Sequence, residues 1–301
     1  MIVIASRLRY NAVVGFRNCF NSNKKESAMN RKLVFLDIDG TLTPAGSNVP
    51  PESARNAIAR AREAGHLVFL CSGRNRGMLS PVLSYGFDGA VASAGGYVFA
   101  GDRVLFDCPM SAEERDTAMR LLAENRVLRT IETLDKTYAD DNLSDFLAAI
   151  PGGNSELVRW REAINRGLGI RPISEYDGAP LYKIVFMCRE RQELAPAEAI
   201  LGDRFQFVVQ GEICGCLNGE MINRKFDKGL GVRVLAEAFH ADLSDTIGFG
   251  DSMNDLEMIE TVGTSVCMEN GNPELKKKSH IICPAVEEDG LARAFHDLNL
   301  V

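Results

Sequence analysis

At 301 residues, 46% hydrophobic and 25% charged, the chain has ordinary globular composition and enough material for one large domain or two moderate ones. Its formal net charge of −7 argues against general nucleic-acid binding, which favours a basic footprint, although local charges or a metal still let an acidic protein take a small anion. No apolar run reaches the ~18–20 residues that span a bilayer, so neither nucleic acid nor a membrane is expected as a partner.

Residues 1–30 differ from the rest. They carry Arg7, Arg9, Arg17, Lys24 and Lys25 against one acid, Glu26. Arg7 and Arg9 interrupt the continuous apolar stretch that a secretory signal needs. An Arg-rich, acid-poor targeting leader is one reading. The preferred one is a disordered extension upstream of a start at Met29, and fold reading begins near Arg31.

Leu33-Val34-Phe35-Leu36, ending in Asp37-Ile38-Asp39-Gly40-Thr41, has the pattern of a buried parallel strand bounded by turn residues. Pro50-Pro51 opens a helix expected from Glu52 to Ala64, and Gly65 closes it. A second strand from His66 to Leu70 ends in Cys71-Ser72-Gly73-Arg74. A helical stretch follows to Tyr85, stopped by Gly86, and a third strand is expected from Gly89 to Ala94. This alternation implies a mainly parallel sheet with right-handed crossovers.

The pattern changes near Pro109. Helices are expected at 111–126, 142–150, 155–167 and 190–202, and strands at 128–133, Leu181 to Cys188, Phe205 to Val209 and Ile213 to Leu217. Alternation then resumes. Helices are expected from Phe226 to Ala241, Met253 to Val262, Pro273 to Lys278 and Gly290 to Leu298, with strands from Thr246 to Phe249, Ser265 to Met268 and His280 to Cys283. The expected fold is therefore α/β. A Rossmann-like, mainly parallel sheet core spans 31–109 and 218–301, interrupted by an inserted α+β domain over 110–217.

The eight cysteines are scattered and none forms a C-x-x-C pair. Cys214 and Cys216 would share one face of a strand, the one spacing open to a metal or redox pair. The set as a whole reads as small buried hydrophobes in a reducing cytoplasm, and a cytoplasmic protein is expected.

Ligands of open parallel sheets bind beyond the carboxyl ends of the strands. Three strand ends here are dense in polar groups: Asp37-Ile38-Asp39-Gly40-Thr41, Ser72-Gly73-Arg74, and Gly248-Phe249-Gly250-Asp251-Ser252-Met253-Asn254-Asp255. Asp37, Asp39 and Asp251 would crowd three carboxylates into one crevice, which is costly unless a cation bridges them. A hard divalent ion such as Mg²⁺ answers that need. Capping of the following helices explains Asp251 or Asp255 taken singly, but not Asp37 and Asp39 at the end of an apolar strand. Ser72 offers a hydroxyl beside a helix N-terminus, a place that attracts anions. Lys228, in the first turn of a helix, opposes the macrodipole and so calls for another reason to be there.

Taken in order, these segments resemble the four motifs of the haloacid dehalogenase-like hydrolases: Asp37-Ile38-Asp39-Gly40-Thr41 the first, Ser72 the second, Lys228 the third, and Gly250-Asp251-Ser252-Met253-Asn254-Asp255 the fourth. The resemblance covers Arg31 to Val301. An α+β insert between the second and third motifs is similar to the type IIB cap of Cof-like sugar phosphatases. The stretches Met268-Glu269-Asn270-Gly271-Asn272-Pro273 and Glu288-Asp289-Gly290-Leu291 fit that subgroup too. Many such relatives carry Asn-Gly where this chain has Ala94-Gly95.

The resemblance implies a Mg²⁺-dependent phosphatase. Asp37 would be the nucleophile and form an aspartyl-phosphate. Asp39 would act as acid and then base. Asp37, the Asp39 carbonyl and Asp251 would hold the metal. Gly40, Thr41, Ser72, Gly73, Lys228 and Asn254 would surround the phosphate, with Lys228 also catalytic and Asp255 supporting from behind. The insert would close as a lid over a small phosphorylated metabolite, and its polar groups Arg171, Glu175, Tyr182 and Lys183 are open to either substrate contact or solvent. A phosphomutase of the phosphomannomutase type shares the site and differs in passing the phosphoryl group to a sugar. A metabolite-binding regulator is the reading from another class; loss of Asp37 or Asp39 would mark it, and both are present. A monomer or small homo-oligomer is expected.

Overall fold

The computed structural model describes residues 31–148, 169–213 and 215–301. The expected N-terminal extension, the helix expected at 155–167, Cys19 and Cys214 lie outside them. In chain order the elements are β1 (Leu33–Leu36), α1 (Glu52–Glu63), β2 (Leu67–Cys71), α2 (Arg76–Leu83), β3 (Gly89–Ala92), β4 (Tyr97–Ala100), β5 (Arg103–Asp107), α3 (Ala112–Glu124), β6 (Leu128–Thr133), β7 (Thr137–Ala139), α4 (Leu143–Ala148), β8 (Ile170–Pro172), β9 (Leu181–Cys188), α5 (Ala195–Leu201), β10 (Phe205–Ile213), β11 (Cys216–Asn223), α6 (Lys228–Ala238), β12 (Thr246–Gly250), α7 (Leu256–Thr261), β13 (Thr264–Met268), α8 (Pro273–Lys278), β14 (Ile281–Cys283) and α9 (Gly290–Asp297).

The described strands form two sheets. The first has eight strands in the order β14-β13-β12-β1-β2-β3-β4-β5. Its strands are parallel from β14 to β3, and the β4–β5 hairpin adds two antiparallel strands at one edge. All four residues of β1 are buried, because β1 sits between β12 and β2 with packing on both faces. On one face Val34, Leu36, Val68 and Leu70 meet Ala54, Ala57, Ile58 and Ala61 of α1 and Leu291, Ala294 and Phe295 of α9. On the other, Leu33, Phe35, Phe69 and Val91 pack against Val232 and Leu235 of α6. Each fully buried Leu, Val or Phe contributes about 1.5–3 kcal/mol over exposure. Alternate residues of one short strand thus anchor helices on opposite sides.

The second sheet has six strands in the order β10-β11-β9-β6-β7-β8. One face carries Ile131, Ile184, Phe186 and Met221 against α3 and α5. The other is divided between an apolar patch, with Val185, Met187 and Cys216 packed near Leu143, and the buried polar residues Glu132, Lys183 and Glu220.

Several expected boundaries move for identifiable reasons. β3 stops at Ala92 because Ser93, Ala94 and Gly95 all take positive φ, at 50°, 56° and 108°. The β4–β5 hairpin was not expected; Gly101-Asp102 makes its turn. β10 and β11 are longer than expected, and β11 runs to Asn223, beyond the expected end of the insert at 217. β11 passes through Gly219, where glycine is needed: a Cβ there would stand 2.2 Å from the Val208 carbonyl oxygen. α6 starts at Lys228 rather than Phe226, because the Asp227 carboxylate caps it by accepting from Leu230 N at 2.6 Å. The helix expected from Met253 is a 3-10 turn, Met253–Asp255, leading into α7.

Gly95 couples the sheet to the head of α6. A Cβ there would lie 2.2 Å from the Asp227 carbonyl oxygen, on a backbone already at positive φ. Gly95→Ala is expected to lower stability by about 2 kcal/mol or more in urea unfolding, since both the steric and the dihedral penalty apply. An unchanged midpoint would show that the contact relaxes freely.

Candidate active site

The central strands β12, β1 and β2 are parallel and in register, with Leu36 opposite both Phe249 and Leu70. The chain therefore leaves all three at the same sheet edge. Asp37 N continues the ladder by donating to the Phe249 carbonyl at 3.0 Å, and Ser72 N does so to Val91 at 2.9 Å. Asp37, Ser72 and Asp251 follow directly from this geometry.

Asp37, Asp251 and Asp255 each present a carboxylate oxygen within 4.8 Å of the others. Lys228, fully buried at the start of α6, reaches into this group. Its ammonium donates to Asp37 Oδ1 at 2.7 Å, Asp255 Oδ1 at 2.5 Å and Asn254 Oδ1 at 3.3 Å. Burial opposes its charge, but Asp255 and Asp37 outweigh that and raise its pKa well above the ordinary lysine value. The tension seen in sequence, a lysine in a helix's first turn, is resolved by three acceptors.

The carboxylates are short of positive charge even so. Burial first, and then Asp255, push the Asp37 carboxyl well above the ordinary range despite Lys228. Burial and Asp255 likewise raise Asp251 to about 7. Among the described residues Asp251 Oδ1 is buried without a hydrogen-bond partner. A buried, unpartnered carboxylate oxygen beside two further carboxylates is a donor set suited to a hard cation.

Asp255 accepts at its other oxygen from the backbone N–H groups of Asp251 (3.0 Å) and Ser252 (3.1 Å), so it fixes both the loop and the lysine. Gly40 has φ +86°, and a Cβ there would come within 2.4 Å of Asp251 Oδ2. Its carbonyl accepts from Asn270 Nδ2 at 2.8 Å, joining the first motif to the loop after β13. Thr41 is buried, its hydroxyl has no hydrogen-bond partner among the described residues, and it lines a small cleft with Leu42, Ala54 and Leu291. No hydrogen bond links it to the carboxylate group.

Asp39 is placed differently from the other acids. Arg74 grips it with two bonds, Nε to Oδ2 at 3.0 Å and Nη2 to Oδ1 at 2.7 Å, and uses Nη1 on Asn48 Oδ1 at 2.6 Å. Arg74 itself is buried. In the sequence Arg74 carries no pattern of its own. The signal was present, since an arginine two residues after Ser72 arrives at the same edge as Asp39. Lys183, a candidate for either substrate contact or solvent, is buried, while Arg171 and Glu175 are exposed and pair with each other at 3.7 Å.

The haloacid dehalogenase-like hydrolase family matches residues 34–295 of the chain. YkrA of Bacillus subtilis strain 168, a candidate phosphatase, is 30% identical over 280 residues, covering 91% of this chain and 100% of its own. The 5-amino-6-(5-phospho-D-ribitylamino)uracil phosphatase YwtE of the same organism is 27% identical over 279 residues, covering 87% of this chain and 96% of its own. A solved sugar phosphatase of HAD subclass IIB superposes with TM-score 0.70 at 19% identity, over 90% of this chain and 100% of that one, a likeness of fold. The chain belongs to the haloacid dehalogenase-like hydrolase family, with a Rossmann-like sheet core and the architecture of its IIB members. No helix among the described residues is long and apolar enough to cross a membrane.

Proposed function

We propose that the protein is a Mg²⁺-dependent phosphatase that hydrolyses a small phosphorylated metabolite, a sugar phosphate or similar phosphomonoester, through an aspartyl-phosphate on Asp37. The observation that carries this reading is the joint grip of Lys228 on Asp37 and Asp255 beside the unpartnered oxygen of Asp251. YkrA and YwtE are both named as phosphatases, the latter for a phosphoribityl compound.

Asp37 and Asp251, with the Asp39 carbonyl, are the groups that would hold Mg²⁺. When bound, the ion supplies positive charge against the phosphoryl oxygens and the crowded carboxylates. Lys228 orients Asp37 and works against the burial that raises its carboxyl pKa, and the bound ion would add the remaining positive charge that keeps Asp37 ionised as the nucleophile. Asp255 and Asn254 hold the lysine, and Asp255 also holds the backbone carrying Asp251. Ser72 and the turn at Gly73 face the phosphate. Asp39 serves as acid and then base once its carboxyl group leaves Arg74. The second sheet, with the helices on its outer face, acts as the lid that excludes water and reads the leaving group.

The test is phosphate release from a panel of phosphomonoesters in Mg²⁺, repeated after EDTA. Turnover of at least one sugar or polyol phosphate is expected, lost on chelation and restored by Mg²⁺. Turnover that survives thorough chelation contradicts the metal assignment, and no release from any ester contradicts the phosphatase reading.

A further inference from the structure

Lys183 lies on β9 with its side chain 1% exposed. It pairs in register with Glu132 on β6 and with Ile222 on β11, two residues from Glu220 on the same face. Its ammonium donates to Glu220 Oε1 at 2.6 Å and stands 3.4 Å from Glu132 Oε1. Both carboxylates are also buried. A third donor direction leaves this sheet altogether and meets the Gly73 carbonyl at 2.9 Å. Gly73 lies between Ser72, which carries the proposed phosphate hydroxyl, and Arg74, which holds Asp39.

The rest of that segment also touches the second sheet. Asn75 Nδ2 donates to the Lys136 carbonyl and Thr137 Oγ1, each at 3.3 Å, and Gly77 N donates to the Leu134 carbonyl at 3.2 Å. Arg76 pairs with Asp135, but that pair is exposed and contributes little. The Lys183 contact differs in kind. It is a charge-assisted bond from a buried ammonium, held in direction by two acids, onto the backbone at the one point between two site residues.

We propose that Lys183 is a positioning residue that ties the placement of the second sheet to the Ser72–Arg74 turn. Ser72 and the Arg74–Asp39 pair are then held in their geometry only while that sheet is docked. Lid position and the phosphate-facing backbone become one mechanical unit. The consequence for turnover rests on the phosphatase reading above; the tie itself does not.

Lys183→Met alone takes the ammonium away from two buried carboxylates and is expected to lower stability. The decisive variant therefore combines Lys183→Met with Glu132→Gln and Glu220→Gln, removing the three charges together while keeping their shapes. It is compared with Lys183→Arg and the wild type, as full-length chains. Amide hydrogen exchange over 72–77 is read alongside p-nitrophenyl phosphate kinetics and inhibition by inorganic phosphate.

The triple variant is expected to melt near the wild type, yet to exchange these amides about tenfold faster. Its kcat/KM should fall about a hundredfold, with weaker phosphate inhibition, as loosened positioning predicts. Lys183→Arg should restore most of both. A folded triple variant whose 72–77 amides exchange as in the wild type overturns the proposal, and so does a fast-exchanging variant with unaltered kinetics. If the wild type releases no phosphate from any ester, the phosphatase reading fails and the exchange measurement alone decides the tie.

Discussion

Asp37→Asn is expected to reduce phosphate release from p-nitrophenyl phosphate by about 10⁴-fold or more, because an amide cannot attack phosphorus to form the acyl-phosphate. The protein should remain folded. The substitution takes one member from a buried group of three carboxylates, and Lys228 keeps Asp255 and Asn254 as acceptors. Stability should therefore move by no more than about 1 kcal/mol, which thermal unfolding checks. An inactive, folded variant assigns the loss to chemistry. Full activity would remove Asp37 from the mechanism.

The second large effect belongs to Lys228, and it strikes fold and activity together. Lys228→Met leaves Asp37, Asp251 and Asp255 buried without their ammonium. Breaking a buried ion pair from one side costs about 3–5 kcal/mol, because the stranded charges stay out of water. The expected result is a loss of that order in denaturant unfolding under EDTA. On the proposed metal site the deficit should be smaller in Mg²⁺, because a cation held by the same carboxylates would take over part of the compensation. Turnover should fall by about 10³-fold, the order seen when one charge-stabilising donor is removed. A deficit equal with and without divalent cations would mean the ion does not bind these carboxylates.

Much of this site was legible in the sequence, because strand ends announce themselves. An apolar run of four residues followed by Asp37 places that carboxylate at the sheet edge whatever the details of the loop. Asp251 after Thr246–Gly250 is the same statement on the neighbouring strand. Lys228 was marked by its conflict with the helix dipole, and its three acceptors are the reason for it. Arg74 escaped because a single arginine carries no local pattern; only the approach of the β1 and β2 ends shows what it grips.

The second sheet was harder to read. Its longest strands pass through Gly219 and turn at Gly215, residues that punctuate sequence but here serve close backbone approach and a turn at φ +72°. Lys183 was open to being surface because the identity of a lysine says nothing of its burial. Only the pairing of β6, β9 and β11 surrounds it with acids.

Passage of a phosphoryl group through the Asp37 carboxylate is tested by single-turnover hydrolysis in water labelled with oxygen-18, followed by peptide mass spectrometry of the enzyme. Attack by Asp37 and hydrolysis of the acyl-phosphate at phosphorus leave the carboxylate unlabelled and place one label in the first phosphate released. Rapid acid quench should then capture the peptide containing Asp37 heavier by one phosphoryl group. A quenched enzyme that carries no phosphoryl group while turnover proceeds, or one that carries it on another residue, would exclude Asp37 as the nucleophile.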